Sequence, residues 1–241
     1  MCIAAWTWQA HPAYGLLLLF NRDEYHSRPT RPAQWWAAAG EEGEEILGGR
    51  DELGGGTWLG CTKGGKLAFL TNVREPSPRD GARSRGELPV RAGRVHWSMQ
   101  LKLQRKQIST MVLILYWLMC IQEPWCTSLI SQVLRLGQSF NRFLAAHDDA
   151  EVSLKQMVEE LMTDTVKADR SAVPDTGVDP DWEYQLSSIF IDTKKGQARY
   201  GTRSMAAIGV KLDGEVTFYE RSLASSLWNE NVVQFEMDMA Q

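Results

Sequence analysis

The feature that most constrains the fold is a pair of apolar segments at the start of the chain, joined by a short turn. Cys2–Trp8 is rich in β-branched and aromatic residues, and Tyr14–Phe20 is continuously apolar. Between them lies Pro12, which ends a strand because proline has no backbone N–H to donate. The pattern predicts a hairpin buried on both faces. No basic segment precedes it, so we do not read it as a secretory signal.

The order of patterns along the chain is strands, then helices, then strands, which predicts an α+β fold with an antiparallel sheet core and helices on its faces. A second hairpin is predicted from Thr57–Cys61 and Lys66–Asn72 around a glycine turn. Tyr25–Gly56 is rich in Pro, Gly and acidic residues and predicts surface loops. The predicted C-terminal strands are Leu186–Asp192, Ser204–Leu212 and Glu215–Tyr219. Helical spacing recurs at Leu129, Val133, Leu136, Phe140 and Phe143, and again at Val152, Met157, Val158, Leu161 and Met162.

Composition limits the classes of function. The 241 residues are 44% hydrophobic, which suits one domain over residues 1–241. A net charge of −4 gives no attraction to nucleic acid. The longest apolar run is about half of the ~20 residues that a membrane-spanning helix needs. The four cysteines and four histidines have no metal-site spacing, which predicts no metal and a reducing, cytoplasmic location.

Residues 91–128 depart from this composition. Leu88 to Gln122 contains no acidic residue, although five basic residues lie within it: Arg91, Arg94, Lys102, Arg105 and Lys106. One interpretation is an artefact of the sequence, such as a frameshift or a retained intron. The other is a basic amphipathic segment that makes peripheral contact with a membrane or a partner, without stable insertion.

Cys2 is a candidate nucleophile because its position permits removal of Met1. Cys2 would then carry both a thiol and a free α-amine, and the amine would act as the general base for the thiol. The position of Cys2 alone is weak evidence for a nucleophile, because many buried cysteines are inert.

The polar block Asn21–Glu24 adds to this hypothesis because it ends the second apolar strand. In an antiparallel hairpin, the end of the second strand lies beside the start of the first. Arg22 and Asp23 should therefore reach Cys2. The arginine would stabilise a thiolate or oxyanion, and the aspartate would bind the α-ammonium group or orient the attacked amide. The alternative is a structural ion-pair cluster at a strand end.

Several further motifs accompany that block in a fixed order. They are Ser27–Arg28–Pro29, Gly55–Gly60, Leu70–Asn72 with Arg74–Glu75, Ser84–Leu88 and Tyr200–Ser204. Together with the Met-Cys-Ile start, they resemble the NRDE-motif family, also called the transport and Golgi organisation 2 family. The resemblance is strongest over residues 1 to about 90 and weaker from about 130 to 241.

The resemblance implies an αββα sandwich similar to N-terminal nucleophile hydrolases, particularly cysteine-type acylases that cleave linear, non-peptide amides. Cys2, Arg22 and Asp23 match their catalytic positions. The chain departs from the family at Ser109–Ile114 and Pro124–Ser128, where an Asn-bearing segment is usual, and at Met205. In the acylases the Asn-bearing segment would supply an oxyanion donor. Loss of such a donor typically removes about 3 kcal/mol of transition-state stabilisation.

The resemblance also implies a cellular role in Golgi organisation and protein secretion, with cytosolic or mitochondrial handling of haem or acyl lipids. The candidate ligand-binding residues are Asn21, Glu24, Trp58, Asn72 and Arg203. Haem would be cargo, since we predict no resident cofactor. Aromatic walls suit acyl chains or a flat macrocycle, although ordinary core packing is the preferred explanation of Thr57–Trp58 and Trp35–Trp36. Arg203 would pair with a ligand carboxylate or with Asp23.

Three hypotheses of function follow from these residues. The first is the family's cellular role with binding of a small apolar or amphipathic ligand. The second is an amide hydrolase that uses Cys2. The third is a non-catalytic scaffold attached to a membrane by the basic segment Arg91–Lys106.

Overall fold

Two antiparallel β-sheets form the centre of the computed structural model, which describes residues 2–37, 45–71, 84–92, 130–147, 151–173 and 177–238. Within these ranges the strands are β1 (Ile3–Trp8), β2 (Tyr14–Tyr25), β3 (Thr30–Ala37), β4 (Glu45–Asp51), β5 (Leu59–Cys61), β6 (Leu67–Phe69), β7 (Asp192–Lys195), β8 (Ala198–Lys211), β9 (Glu215–Ala224) and β10 (Leu227–Glu236). The larger sheet has the order β1-β2-β8-β9-β10, with β7 also paired to β8, and the smaller sheet has the order β3-β4-β5-β6.

The described helices are α1 (Glu87–Ala92), α2 (Ile130–Ala146), α3 (Leu154–Leu161) and α4 (Pro180–Gln185), with a 3-10 turn at Arg170–Ala172. Helices α2 and α3 confirm the two predicted helical segments. The Ser153 hydroxyl caps the start of α3 by accepting the Gln156 N–H. Among the described residues, no helix has the length and apolar character to span a bilayer.

The N-terminal hairpin is confirmed, and its second strand is longer than predicted. Strand β2 pairs with β1, with Ile3 opposite Asn21, and on its other side it pairs with β8. It continues to Tyr25, so the polar block lies inside the strand rather than after it. The register of β2 against β8 shifts between Arg22 and Asp23. Such a bulge changes the direction of the following side chain.

Alternate residues of β2 enter different cores, because successive side chains of a strand point to opposite faces. Leu17 and Leu19 pack with apolar residues of α2 and α3. Leu18 and Phe20 pack with residues of the smaller sheet. On the outer side of the smaller sheet, Val90 of α1 packs against Trp36 and Ile46. The two sheets thus face each other with helices outside, which confirms the α+β class.

The predicted loop over Tyr25–Gly56 is wrong, because this segment contains β3 and β4. Pro32 lies where the β3–β4 register is irregular, so it removes no regular ladder bond. Gly49 is needed for close packing, since an added Cβ would lie 2.2 Å from Cζ2 of Trp58. The proline and glycine therefore mark a bulge and a close contact, both inside strands.

The predicted strand Leu186–Asp192 is also wrong. Its apolar residues are buried, but the N–H of Phe190 donates to the Asp164 carbonyl and that of Ile191 to the Thr202 hydroxyl. Strand β7 begins only at Asp192. Strand β10 was not predicted, because its half-exposed residues form an edge strand with little apolar character.

We predict that Gly49→Ala destabilises the protein by about 1–3 kcal/mol, because the new methyl group must displace the Trp58 indole. Gly15→Ala is the matched control, since its Cβ would meet no atom closer than 3.8 Å. Urea unfolding of the two variants measures the difference. Equal free energies of unfolding would contradict the tight Gly49–Trp58 contact.

Candidate active and ligand-binding site

The structure brings Cys2 and Asp23 together at the end of the hairpin. Cys2 directly precedes β1, and its sulfur accepts a hydrogen bond from the backbone N–H of Asp23. Both residues are buried, with exposed fractions of 4% and 1%. The carboxylate of Asp23 is held by Thr202 in β8, whose hydroxyl donates to Oδ1 over 2.7 Å. The arrangement depends on the pairing of β2 with both neighbouring strands.

Burial controls the charges of these two groups. It raises the pKa of the Cys2 thiol, and the positive charge of Arg22 opposes this effect only in part. Burial likewise raises the pKa of Asp23, against the hydrogen bond from Thr202 and the charge of Arg22. The thiol is therefore protonated at neutral pH, so Cys2 needs a base before it can attack a carbonyl group.

Arg22 extends to the opposite face of β2 from Asn21. Its guanidinium group stacks over Trp58, with Cζ 4.1 Å from the ring centroid, and Nη1 donates to the Thr30 hydroxyl over 3.5 Å. Gly49 also lies close to the indole, near Cζ2 and Cη2, so Trp58 packs against both a glycine and an arginine. This stack forms one wall of an open cleft.

The cleft has a volume of about 350 Å³ and lies between the larger sheet and β3. Its wall includes Arg22, Trp58, Arg203, Glu220 and Asn231, with serine side chains of β8 and β9. This volume is at the lower end of the range for small-molecule sites. Cys2 is not among the residues that line it. The thiol and the cleft are thus neighbouring features that share Arg22.

Glu220 is one of the cleft residues that the sequence prediction missed. It follows Val216 and Phe218 on the inward face of β9, and only 2% of it is exposed. Burial raises the pKa of Glu220 to about 7, although the Ala33 N–H and the charge of Arg22 act in the opposite direction. A carboxyl at the third inward position of an alternating strand was the available signal, but the predicted strand ended at Tyr219.

Ala33 joins the two sheets through side chains rather than through a strand ladder. Its N–H donates to Oε2 of Glu220 over 2.6 Å, and its carbonyl accepts from Nδ2 of Asn231 over 2.7 Å. The register shift between Arg31 and Gln34 frees both groups from pairing with β4. The bulge in β3 therefore binds β9 and β10 at the cleft.

Asn21 and Glu24 lie away from the cleft. Nδ2 of Asn21 donates to the carbonyls of Met162 and Ile189, both over 2.9 Å, and so fixes two connections on the helix side. Glu24 accepts from the N–H of Tyr25 over 2.8 Å and lies 3.8 Å from Nε of Arg28. Neither belongs to the cleft wall.

Arg203 lies on the cleft wall and is fixed by backbone contacts. Its Nη1 donates to the carbonyls of Tyr25 and Arg28, over 3.0 and 2.9 Å. Trp58 also lies on the cleft wall. Asn72, the remaining predicted ligand residue, lies outside the described residues.

The adjacent tryptophans of β3 do not form one wall. The indole N–H of Trp36 donates to the Gly48 carbonyl over 3.0 Å, and its ring packs towards α1. Trp35 makes an edge contact with Phe235 at 5.1 Å on the inward side. Adjacent strand residues point apart, so core packing is the correct interpretation for this pair.

The motifs that were recognised separately in the sequence contact one another. The N–H of Thr57 donates to the Gly86 carbonyl over 3.0 Å, and an added Cβ on Gly56 would lie 2.2 Å from that peptide group. Tyr200 and Arg203 donate to carbonyls of the segment Asp23–Arg28. The motifs thus form the supports of one region of the molecule.

These features define a mixed α+β protein with a charged cleft between two antiparallel sheets. The family model described as Transport and Golgi organisation 2 matches residues 1–96 and 104–225 of the chain. The chain belongs to this family.

Relatives support the same assignment. The mouse "Transport and Golgi organization 2 homolog" is 28% identical over 280 aligned residues, with 98% of this chain and 99% of the relative covered. The human "Transport and Golgi organization protein 2 homolog" is 29% identical over 286 residues, with the same coverage. A bovine homologue is 45% identical over 95 residues, which cover 36% of this chain and 33% of the relative.

We predict that the stability of wild type relative to Glu220→Gln falls as the pH rises from about 4.5 to about 7. Below that window the carboxyl is protonated in both the folded and the unfolded state. Within it, the unfolded state loses its proton first, which favours unfolding. The full effect is about 3 kcal/mol, at roughly 1.4 kcal/mol per pKa unit.

Urea unfolding across this range measures the trend, and Glu230→Gln is the control. Pairing with Lys155 lowers the pKa of Glu230, so the stability it contributes is lost as the pH falls. A pH-independent difference between wild type and Glu220→Gln would contradict the proposed environment of Glu220.

Proposed function

We propose that the protein acts in Golgi organisation and protein secretion by binding a small amphipathic ligand through its anionic group. Arg22 and Arg203, which both line the cleft, would bind that group, and Trp58 would contact the apolar part. This pair of arginines beside an aromatic wall is the observation that carries the proposal. Arginine side chains suit carboxylate and phosphate groups because their planar N–H groups match the oxygen spacing.

The charge balance of the cleft supports an anionic ligand. Arg31 is paired with Glu52 at 2.7 Å, and Glu230 is paired with Lys155 at 2.8 Å. Arg22 and Arg203 instead donate to neutral oxygens, those of a hydroxyl and of two carbonyl groups. An anionic group on the ligand would supply the charge that these neutral oxygens lack.

Acyl compounds and haem both carry carboxylates, but the described wall favours an acyl compound. The lining residues include no His, Cys or Met, which are the usual side chains that ligate haem iron. Across the described ranges, no three His, Cys, Asp or Glu side chains cluster as metal ligands. We therefore propose an acyl ligand first, with haem as the second arm of the test.

We predict that decanoate binds wild type and that Arg22→Gln or Arg203→Gln weakens its binding about ten- to a hundredfold. Loss of a charge-assisted hydrogen bond typically costs about 1.5–3 kcal/mol. Arg221→Gln is the matched control, because Arg221 packs over Trp228, away from the cleft wall. Calorimetry measures decanoate binding, and visible absorbance measures haemin binding in parallel. Absence of binding by both compounds to wild type would overturn the proposal.

A second candidate is an N-terminal-cysteine amide hydrolase, which the hydrogen bond from Asp23 to the Cys2 sulfur favours. Removal of Met1 would expose the α-amine of Cys2 as a base beside the Asp23 carboxyl. The amine would take the thiol proton as sulfur attacks the carbonyl carbon, and would then return it to the departing amine. Water would hydrolyse the thioester. Sheets that face each other with helices outside support an αββα likeness to such hydrolases.

We predict for this second candidate that purified protein lacks Met1 and that iodoacetamide modifies Cys2 at neutral pH. Cys61 should react far more slowly, because burial alone sets its pKa, at about 12, whereas the free α-amine would take the proton of the Cys2 thiol. Intact-mass analysis of wild type and Cys2→Ala tests both points. Retained Met1, or labelling unchanged in Cys2→Ala, would exclude this mechanism. The scaffold hypothesis depends on the basic segment Arg91–Lys106, of which residues 93–106 lie outside the described residues.

A further inference from the structure

The carboxyl of Glu220 lines the same cleft as the two arginines, although an anionic ligand needs positive charge there. Glu220 reaches this position from the middle of β9, between Phe218 and Ser222 on the inward face. Its Oε2 accepts the Ala33 N–H, which leaves Oε1 to carry a proton. A negative charge at Glu220 would repel an anionic group in a poorly solvated site.

We propose that Glu220 binds the ligand in its protonated form, donating a hydrogen bond to the anionic group held by Arg22, so that binding takes up one proton. This inference rests on the proposed function and deepens it. Glu220 would thereby select ligands whose ionised group accepts a hydrogen bond. The proton comes from solvent and returns to solvent when the ligand leaves.

The surroundings of Glu220 support this linkage. The charged groups that share the cleft wall with it are Arg22 of β2, Arg203 of β8, Arg31 of β3 and Glu230 of β10, and the charge of Arg22 acts on the Glu220 carboxyl. The last two are paired with Glu52 and Lys155. Arginines keep their charge at every pH of interest. Glu220 is therefore the group on this wall whose charge changes near neutrality, since burial raises its pKa to about 7.

The ionisation of Glu220 sets the direction in which ligand affinity changes with pH. An anionic ligand favours the protonated carboxyl, so affinity is highest below about pH 7 and falls as the pH rises and Glu220 ionises. For one linked proton, affinity falls about tenfold for each pH unit above the pKa of the free protein. A ligand without a negative charge should not show this fall.

Decane-1-sulfonate is the probe, because it stays ionised throughout this range and only the protein titrates. We expect its affinity for wild type to fall at least about tenfold between about pH 6 and about pH 8.5. Calorimetry near pH 7.5 in two buffers of different ionisation enthalpy should show uptake of roughly one proton. This measurement needs no variant, so it does not depend on how a substitution folds.

Glu220→Gln should bind decane-1-sulfonate with the same affinity across the range, because its amide donates a hydrogen bond at every pH. Glu230→Gln is the matched control on the same wall and should keep the pH dependence of wild type. Binding to wild type without a pH dependence or proton uptake would overturn this inference and leave the proposed function intact. Failure of wild type to bind decane-1-sulfonate, decanoate and haemin at about pH 6 would overturn both.

Discussion

The two-sided pairing of strand β2 is the constraint on which the rest of the structure depends. The strand hydrogen-bonds β1 along one edge and β8 along the other, and its side chains enter two different cores. A strand enclosed in this way has a fixed register, because a slip of one residue would exchange its two faces. The position of every polar residue near its end follows from that register.

The bulge at Arg22 and Asp23 directs these two side chains of the strand to different parts of the candidate site. Arg22 extends towards Trp58 and the smaller sheet, while Asp23 bonds Thr202 and offers its N–H to the Cys2 sulfur. A second bulge, in β3, frees the backbone of Ala33 to bond Glu220 and Asn231. Both irregularities occur where the two sheets meet, so the cleft is formed by interruptions of regular pairing.

Local patterns were sufficient for the elements whose role is set by their own residues. The hairpin and helices α2 and α3 were predicted because apolar periodicity directly reports a buried face. Strands β3 and β4 were missed because Pro32 and Gly49 act through contacts with distant residues, which no local pattern contains. The same holds for Leu186–Asp192, where apolar residues are buried without a ladder.

The site was predictable to the extent that it depends on the hairpin. The approach of Asp23 to Cys2 follows from antiparallel pairing alone. The position of Arg22 opposite Trp58 depends on how the sheets pack, and the contact between Glu220 and Ala33 depends on a bulge. These relations join residues far apart in sequence, and a single sequence contains no signal for them beyond an acidic residue at an inward position.

The four residues of the family motif, Asn21–Glu24, do not form one chemical unit. Asn21 bonds the backbone on the helix side of the sheet, Arg22 lines the cleft, Asp23 lies against the Cys2 thiol, and Glu24 accepts the Tyr25 N–H. Substitution of Asn21 should therefore impair folding, whereas substitution of Arg22 should, under the proposed function, impair ligand binding. Substitutions at these two neighbouring positions would thus differ in effect. One would lower the amount of folded protein, and the other would lower ligand binding by protein that still folds.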